Sequence, residues 1–460
     1  MGPRSVSRLT IRPLPDLAFR FALVVTILAP LVGGVSVALA LVWRGRWLEE
    51  SAVAQVIRAG LVASLLAALV AAGHSFGLWG PAMRGEVEFG DWLTVGSYHI
   101  PLVVHVDELA TSFSLLAAAL TALVGRFSRT YLHKEPGFAR FYVLLGLFGT
   151  GTQLVAYAGA LDLFFAGWEL IGISSALFIG FFHEREMPAR SAVRAFTTYR
   201  LCDAGLLIAM VTTHELLGTT RIAALERADT LSPLAVSAIA ALFLLSAMGK
   251  SAQLPFSGWL PRAMEGPTPT SALFYGAVSI HAGVYLLLRV GPVLRAAPIV
   301  AAFGVAVGVS TAVYAAMVAR THTDAKGALA HATLSQIGLI LAEISLGWTS
   351  LALVHLVCHA LLRAWQFLRA PNTIHDAHAF GHHAAHATQH AHGAPASILS
   401  AAAPAGPIPM RDRIFAHALH RVRLDERIDA AVAPVLAAAR VLANAERRVR
   451  QAMSIGEERR

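Results

Sequence analysis

Charge is scarce in this chain. Only 14% of its 460 residues are charged against 56% apolar, and the mean hydropathy is +0.60. Soluble domains carry about 25% charged residues, so these values exclude a large water-soluble domain. Cysteine is scarcer still. Cys202 and Cys358 each sit inside an apolar run and read as packing residues rather than a disulfide. There is no cysteine cluster and no GxxxxGK followed by Ser or Thr, which excludes iron–sulfur, flavin and nucleotide chemistry in this chain. No cofactor of its own is therefore expected. The first apolar run starts near Phe21 and lacks an A-x-A site followed by a soluble domain, so no cleavable signal peptide is read. The net charge of +9 comes largely from arginines between apolar segments, where they orient spans, and nucleic acid is not expected as a partner.

What is abundant is apolar sequence in runs of spanning length, about 20 residues each. Eleven such runs lie near 21–43, 59–80, 105–125, 140–159, 161–182, 192–213, 231–250, 268–290, 297–319, 325–346 and 350–369. Membrane lipid is thus the first partner. The connections are short, which favours one bundle. Segments 44–58, 126–140, 183–200 and 320–326 hold thirteen basic residues, whereas the alternate connections 81–104, 157–162, 214–228 and 289–296 hold five. The first set is expected to face the cytoplasm of an inner membrane, with the N-terminus periplasmic and the C-terminal tail cytoplasmic. Arg4, Arg8, Arg12 and Arg20 argue the other way. Beyond Arg369, residues 371–410 read as a His-rich linker and 411–460 as a basic amphipathic surface helix.

Ionisable residues inside apolar runs are costly and face a partner or water, so each is a functional candidate. Glu169 sits mid-run in LFFAGWELIGISS and is a candidate proton carrier; the alternative is a protonated glutamate bonded across helices. Lys250 ends the seventh run, with Pro255 and Pro261 close behind, which implies a broken helix lining a cavity. The alternative is a lysine snorkelling to the interface. Arg200 and Asp203, three apart on one helix face, form a candidate ion pair, and Arg200 is also a candidate partner of Glu169. His281, His331, Glu343, His355, His359 and Arg363 continue the series. The spacing i, i+4, i+8 puts His355, His359 and Arg363 on one face, which suits a proton wire or a metal site. The wire is preferred, because no cysteine or carboxylate lies close in sequence to complete a ligand set. In the linker, His382, His386 and His390 are weak metal candidates, and a polar linker is the simpler reading.

Several stretches, HVDELATSFSLLAAALTALVGRFSRTYL, LDLFFAGWELIGISSALFIGFF, MGKSAQLPFSGWLPRAMEGPTPTSALFYGAVSIHAGVYLLLR, TDAKGALAHATLSQIGLI and HLVCHALLRAWQFL, resemble the proton-conducting antiporter-like subunits. These are subunit L (ND5) of complex I, Mrp antiporter subunits, and DabB-type subunits of inorganic-carbon transporters. The resemblance covers roughly 105–370. It implies an all-α polytopic fold of about eleven transmembrane helices with a discontinuous seventh helix, truncated in its second repeat, plus the C-terminal amphipathic helix. N-terminal membrane helices would occupy 1–104, a first repeat with the Glu/Lys half-channel 105–290, and a partial second repeat 291–370.

By resemblance, Glu169 and Lys250 form the half-channel pair, Arg200 and Asp203 match R-x-G-D with Cys202 in place of the glycine, Lys326 matches the TDxK lysine, and His355 and His359 match H-x-x-x-H. Tyr275 stands where the family often has histidine, and Arg363 where it has lysine. The implied function is proton conduction coupled to a partner. One expectation is inorganic-carbon uptake with a DabA-like peripheral zinc subunit, the zinc lying in the partner. The alternative is an antiporter-like proton-pumping subunit among complex I-like or Mrp-like membrane subunits, and a third reading is a non-conducting scaffold.

Overall fold

Long apolar runs leave the backbone no partner but itself, and the helix satisfies it. The computed structural model describes residues 14–44, 48–95, 98–277 and 279–370, with the isolated residues 437 and 441. The candidate metal histidines His382, His386 and His390, the linker, the amphipathic segment and Arg4, Arg8 and Arg12 lie outside the described residues.

The chain runs α1 (Leu14–Arg44), α2 (Glu50–Ser75), a hairpin of β1 (Gly85–Val95) and β2 (Tyr98–Val106), then α3 (Glu108–Tyr131), α4 (Phe138–Tyr157), α5 (Leu161–Ile179), α6 (Glu186–Leu217) and α7 (Pro233–Lys250). After a turn-rich stretch come α8 (Thr268–Ser271), a π segment Ala272–Ala277, α9 (His281–Arg289), α10 (Gly291–Arg295), α11 (Pro298–Ala319), α12 (Ala325–Ser345) and α13 (Thr349–Arg369). Local chemistry sets several boundaries. Asp107, Ser232 and Asp324 cap the N-termini of α3, α7 and α12 with side-chain oxygens, and Pro233 sits at the first turn of α7. Gly218, at φ 71°, ends α6 in the left-handed conformation.

Among the described residues, ten helical segments are long and apolar enough to cross a membrane. The eleventh run is α6, whose hydropathy Arg190, Arg194, Arg200 and Asp203 dilute; it packs between α5 and α7 all the same. The chain is a multi-pass helical membrane protein. The break expected beside Lys250 is present: α7 stops there, and two 3-10 turns, Phe256–Trp259 and Pro261–Glu265, carry the chain to α8. A second irregularity, the π segment, interrupts the next crossing, where the apolar run gave no sign of one.

Residues 81–104, read from sequence as a connection, are instead mostly hairpin. Val87, Val104 and Val106 are buried, and the register shifts around Gly90 (φ 104°), a bulge that bends the ribbon. Isolated bridges Val104–Ala158 and Ala160–Arg221 tie it to the α4–α5 turn and the stretch after α6. The hairpin thus marks one face of the bundle, opposite the face bearing most of the connecting arginines.

Candidate functional site

Two groups of ionisable residues lie inside the bundle. The first joins α5, α6 and α7. Arg200 bridges two carboxylates: one guanidinium nitrogen is paired with Glu169 Oε2, the other lies 2.7 Å from Asp203 Oδ2. Asp203 also accepts a bond from the Trp168 indole. Lys250 is 1% exposed, so it does not snorkel. Its Nζ donates to the Trp168 carbonyl at 3.1 Å and lies 4.8 Å from the ring centroids of both Trp168 and Tyr199.

The expected Glu169–Lys250 pair is therefore indirect, with Arg200 holding the glutamate. Gly172 makes the arrangement possible: a Cβ there would stand 3.0 Å from Lys250 Nζ and 3.2 Å from the Arg200 guanidinium. Cys202 fits in place of the expected glycine because Gly249 faces it; a Cβ at 249 would be 2.3 Å from Cys202 Cβ. Two cations, Arg200 and Lys250, face two carboxylates, Glu169 and Asp203, so the group is charge-balanced when all four are ionised.

The second group joins α9, α12 and α13. His281 Nε2 and His359 Nδ1 are 3.1 Å apart, and Arg363 Nε donates to His359 Nε2 at 3.3 Å. Arginine has no acceptor to offer, so His359 Nε2 must be the bare nitrogen and Nδ1 must carry the hydrogen. The chain then reads Arg363 to His359 to His281, and His281 Nδ1, fully buried, carries a hydrogen with no partner among the described residues. His355 keeps its place on the stripe, edge-on to His359, but its ring nitrogens bond outside it. Its ring bonds Glu343 through Nδ1 at 2.9 Å and Gln336 through Nε2 at 3.0 Å, and its centroid is 6.3 Å from that of His359. Among the described residues no group of three His, Cys, Asp or Glu could hold a metal.

The two groups meet where α7 ends and α9 begins. Ser251, next to Lys250, donates to the carbonyl of Ile280, next to His281, at 2.7 Å. Gly283 permits this approach: a Cβ there would lie 2.3 Å from Ser251 Oγ and 2.5 Å from the Ala247 carbonyl.

Lys326 and His331 lie on α12, within the expected run. Lys326 donates to Thr268 Oγ1 at 2.8 Å, and Tyr131 bonds the same hydroxyl at 3.0 Å. His331 bonds the Gly327 carbonyl of its own helix and stacks on His322, 4.5 Å between centroids. Both belong to the opening turns of α12, on the arginine-rich face. Tyr275, in the π segment, donates to the Leu260 carbonyl and stacks on Phe367; it pins the broken crossing to α13.

Trp168, Tyr199 and Gly172 were missed from sequence, since an aromatic or glycine in an apolar run carries no distinguishing mark. The Asp107–Arg289 ion pair, 2.6 Å, was also missed, although an arginine closing an apolar run was a visible signal.

A family profile described as "NADH:quinone oxidoreductase/Mrp antiporter, TM" matches residues 158–390, and one described as "NADH-Ubiquinone oxidoreductase (complex I), chain 5 N-terminus" matches 92–142. The chain is 32% identical over 369 residues to NAD(P)H-quinone oxidoreductase chain 5 of Picosynechococcus, an alignment covering 78% of this chain and 54% of that one. It is 36% identical over 290 residues to NADH-quinone oxidoreductase subunit L of Mycobacterium tuberculosis, covering 62% and 46%. The chain thus spans about half the length of these relatives. Among solved structures, the Mrp complex from Dietzia sp. superposes with a TM-score of 0.64 at 27% identity, over 77% of this chain and 37% of that one. A chain of the archaeal membrane-bound sulfane sulfur reductase shares the fold, with a TM-score of 0.66 at 18% identity over 76% and 70%. The first profile spans half the chain and takes in both buried groups, so this chain belongs to the NADH:quinone oxidoreductase/Mrp antiporter transmembrane family.

Proposed function

We propose that the chain is an antiporter-like, proton-translocating subunit of a membrane assembly of the complex I or Mrp kind. The observation that carries this reading is the charge-balanced group around fully buried Lys250, set against the His281–His359 chain. A proton arriving on Glu169 leaves the group with one excess positive charge in a low-dielectric interior. Two unit charges 4 Å apart at an effective dielectric of 20 interact by about 4 kcal/mol. That excess favours passage of a proton from Lys250 towards the histidine chain, across the short step between α7 and α9, where a ring nitrogen must give up its present hydrogen bond to accept it. Arg363 stays charged; it orients His359 rather than relaying. Each charge moved down a 100 mV potential supplies about 2.3 kcal/mol to the assembly. Redox cofactors would sit in neighbouring subunits.

The arginine-rich face is proposed to lie in the cytoplasm of an inner membrane, with the hairpin face outward. The sequence put inorganic-carbon uptake with a zinc-bearing DabA-like partner first; the relatives, named for quinone oxidoreductases and the Mrp complex, reverse that order.

Purification of the tagged chain from its native membrane, with mass spectrometry of what accompanies it, tests the reading. Quinone-oxidoreductase or Mrp-type membrane subunits are expected. A single large soluble zinc protein in their place would overturn it in favour of carbon uptake.

A further inference from the structure

On the arginine-rich face the last three helices leave a gap between their ends. The end of α11, the opening turns of α12 and the last turn of α13 bound an open trough of about 550 Å³. Ala325, Ala328 and Ala332 line it, spaced i, i+3 and i+7 on one face of α12. Side chains of a single carbon leave empty the space that larger residues would fill. No residue of the proposed proton path lines the trough.

Its polar groups are all donors. Arg320, where α11 ends, and Arg369, where α13 ends, are both exposed, and neither pairs with a carboxylate among the described residues. Arg369 lies over the Trp365 ring, 5.1 Å from its centroid, and that indole is 54% exposed. Gln366 accepts from Arg363 Nη1 through Oε1 at 2.7 Å. An arginine has nothing to accept with, so the Gln366 amide nitrogen is the end left to donate. The nearest acid along the chain, Asp324, is engaged by the Gly327 amide and by His322, and no carboxylate lines the trough.

We propose that this trough is a binding site for one anionic phospholipid, with an acyl chain along the alanine face of α12 and the phosphate held by Arg320 and Arg369. Both parts of the ligand follow from what lines the trough. A soluble phosphate would leave the alanine face uncovered, and a net-neutral lipid would leave the two guanidiniums short of counter-charge. Basic pockets between helix ends at a membrane surface take anionic headgroups. The depth agrees: α11 and α13 are long enough to span and both end here, and Trp365 is an amphipathic ring at the level where the headgroups lie. The chain's own segment 411–460 is basic and would meet the guanidiniums with like charge, so it is not the occupant. The proposal requires that the chain spans a membrane; it does not require the transport reading.

The test uses the full chain, purified with whatever accompanies it and reconstituted into phosphatidylcholine vesicles. These carry increasing fractions of phosphatidylglycerol brominated near the glycerol end of one chain or, in parallel, of phosphatidylcholine brominated in the same way. Bromine quenches tryptophan on contact, and the difference between wild type and Trp365→Phe isolates the Trp365 signal. Half-quenching is expected at a mole fraction of the anionic lipid about tenfold lower than of the neutral one, a ratio equal to about 1.4 kcal/mol. Arg320→Gln combined with Arg369→Gln should bring the two curves together; both side chains are exposed, so an unchanged denaturation midpoint is expected of that variant. Equal quenching by the two lipids in the wild type overturns the proposal and leaves an ordinary lipid-facing surface. A preference that survives the double substitution overturns it too, by assigning the effect to the charge of the whole face. Quenching by neither lipid overturns it by showing that protein covers the trough. Loss of the preference in millimolar inorganic phosphate, but not in chloride of equal ionic strength, would give the arginines to a soluble anion instead. The measurement reads lipid binding and not proton movement, so its failure and that of the transport reading are distinguishable.

Discussion

The two buried groups are built on opposite electrostatic plans. Around Lys250 four full charges are confined together, balanced two against two, and closed in by Trp168 and Tyr199. Around His359 one arginine and two imidazoles are strung in a line, and the side branch from His355 to Glu343 is only partly buried, with side chains 22% and 17% exposed. A balanced cluster resists any change of charge and so registers the arrival of a proton. A line of neutral imidazoles offers ring-to-ring bonds along which a proton can be handed on, though each added charge is buried beside Arg363. Under the proposed transport reading the first would sense a proton and the second would conduct it, and each prediction below tests one side of that contrast.

The largest effect is expected from Lys250→Ala, which leaves two carboxylates facing one arginine. Proton uptake by proteoliposomes holding the assembled complex should fall about a hundredfold, the low end of what a positioned proton carrier contributes; unchanged uptake would support the scaffold reading. Arg289→Ala calibrates the comparison, because it breaks a buried pair outside both groups. Fully buried pairs cost roughly 3–5 kcal/mol when broken; Asp107 is 34% exposed, so about 2 kcal/mol is expected from the denaturation midpoint.

The same pair fixes a pH dependence. The folded carboxyl of Asp107 is depressed, so its stabilisation is complete above the unfolded value of about 4 and is lost as pH falls below it. The stability gap between the wild type and Asp107→Asn should therefore narrow only in acid, which a denaturation series from neutral to acid pH would read.

Glu169→Gln frees one arm of Arg200 but leaves Asp203 on the other, and uptake should fall about tenfold, or roughly 1.4 kcal/mol of barrier. Glu343→Gln acts on the partly buried branch and should cost about 1 kcal/mol in stability. A loss of transport as large as that of Lys250→Ala would place the main route through His355 and undo the contrast.

Much of this was legible in the chain. Glu169, Arg200, Asp203, Lys250, His281, His359 and Arg363 stood out because a charge or imidazole in an apolar run is costly and needs a reason. Helical spacing correctly put His359 and Arg363 together, one turn apart. The same spacing also aligned His355, whose ring meets that of His359 edge-on but whose two nitrogens bond elsewhere. A shared helix face says nothing of what packs against it, and Glu343, twelve residues back on α12, draws the ring aside. The hairpin was hidden in a segment too charged to read as a span, where strand alternation is interrupted by the bulge at Gly90.

By itself the sequence determined that the chain crosses a membrane many times, which residues are too expensive to be there by accident, and where helix α7 must end. These follow from solvation and covalent geometry, which are local. Only the tertiary structure decided that Arg200 stands between Glu169 and Lys250, that Lys326 bonds Thr268 and His331 stacks on His322, and that Asp107 meets Arg289 across 182 residues. Ion pairing depends on distances between helices, and those are set by how glycines and side chains pack, which no periodicity along one helix contains.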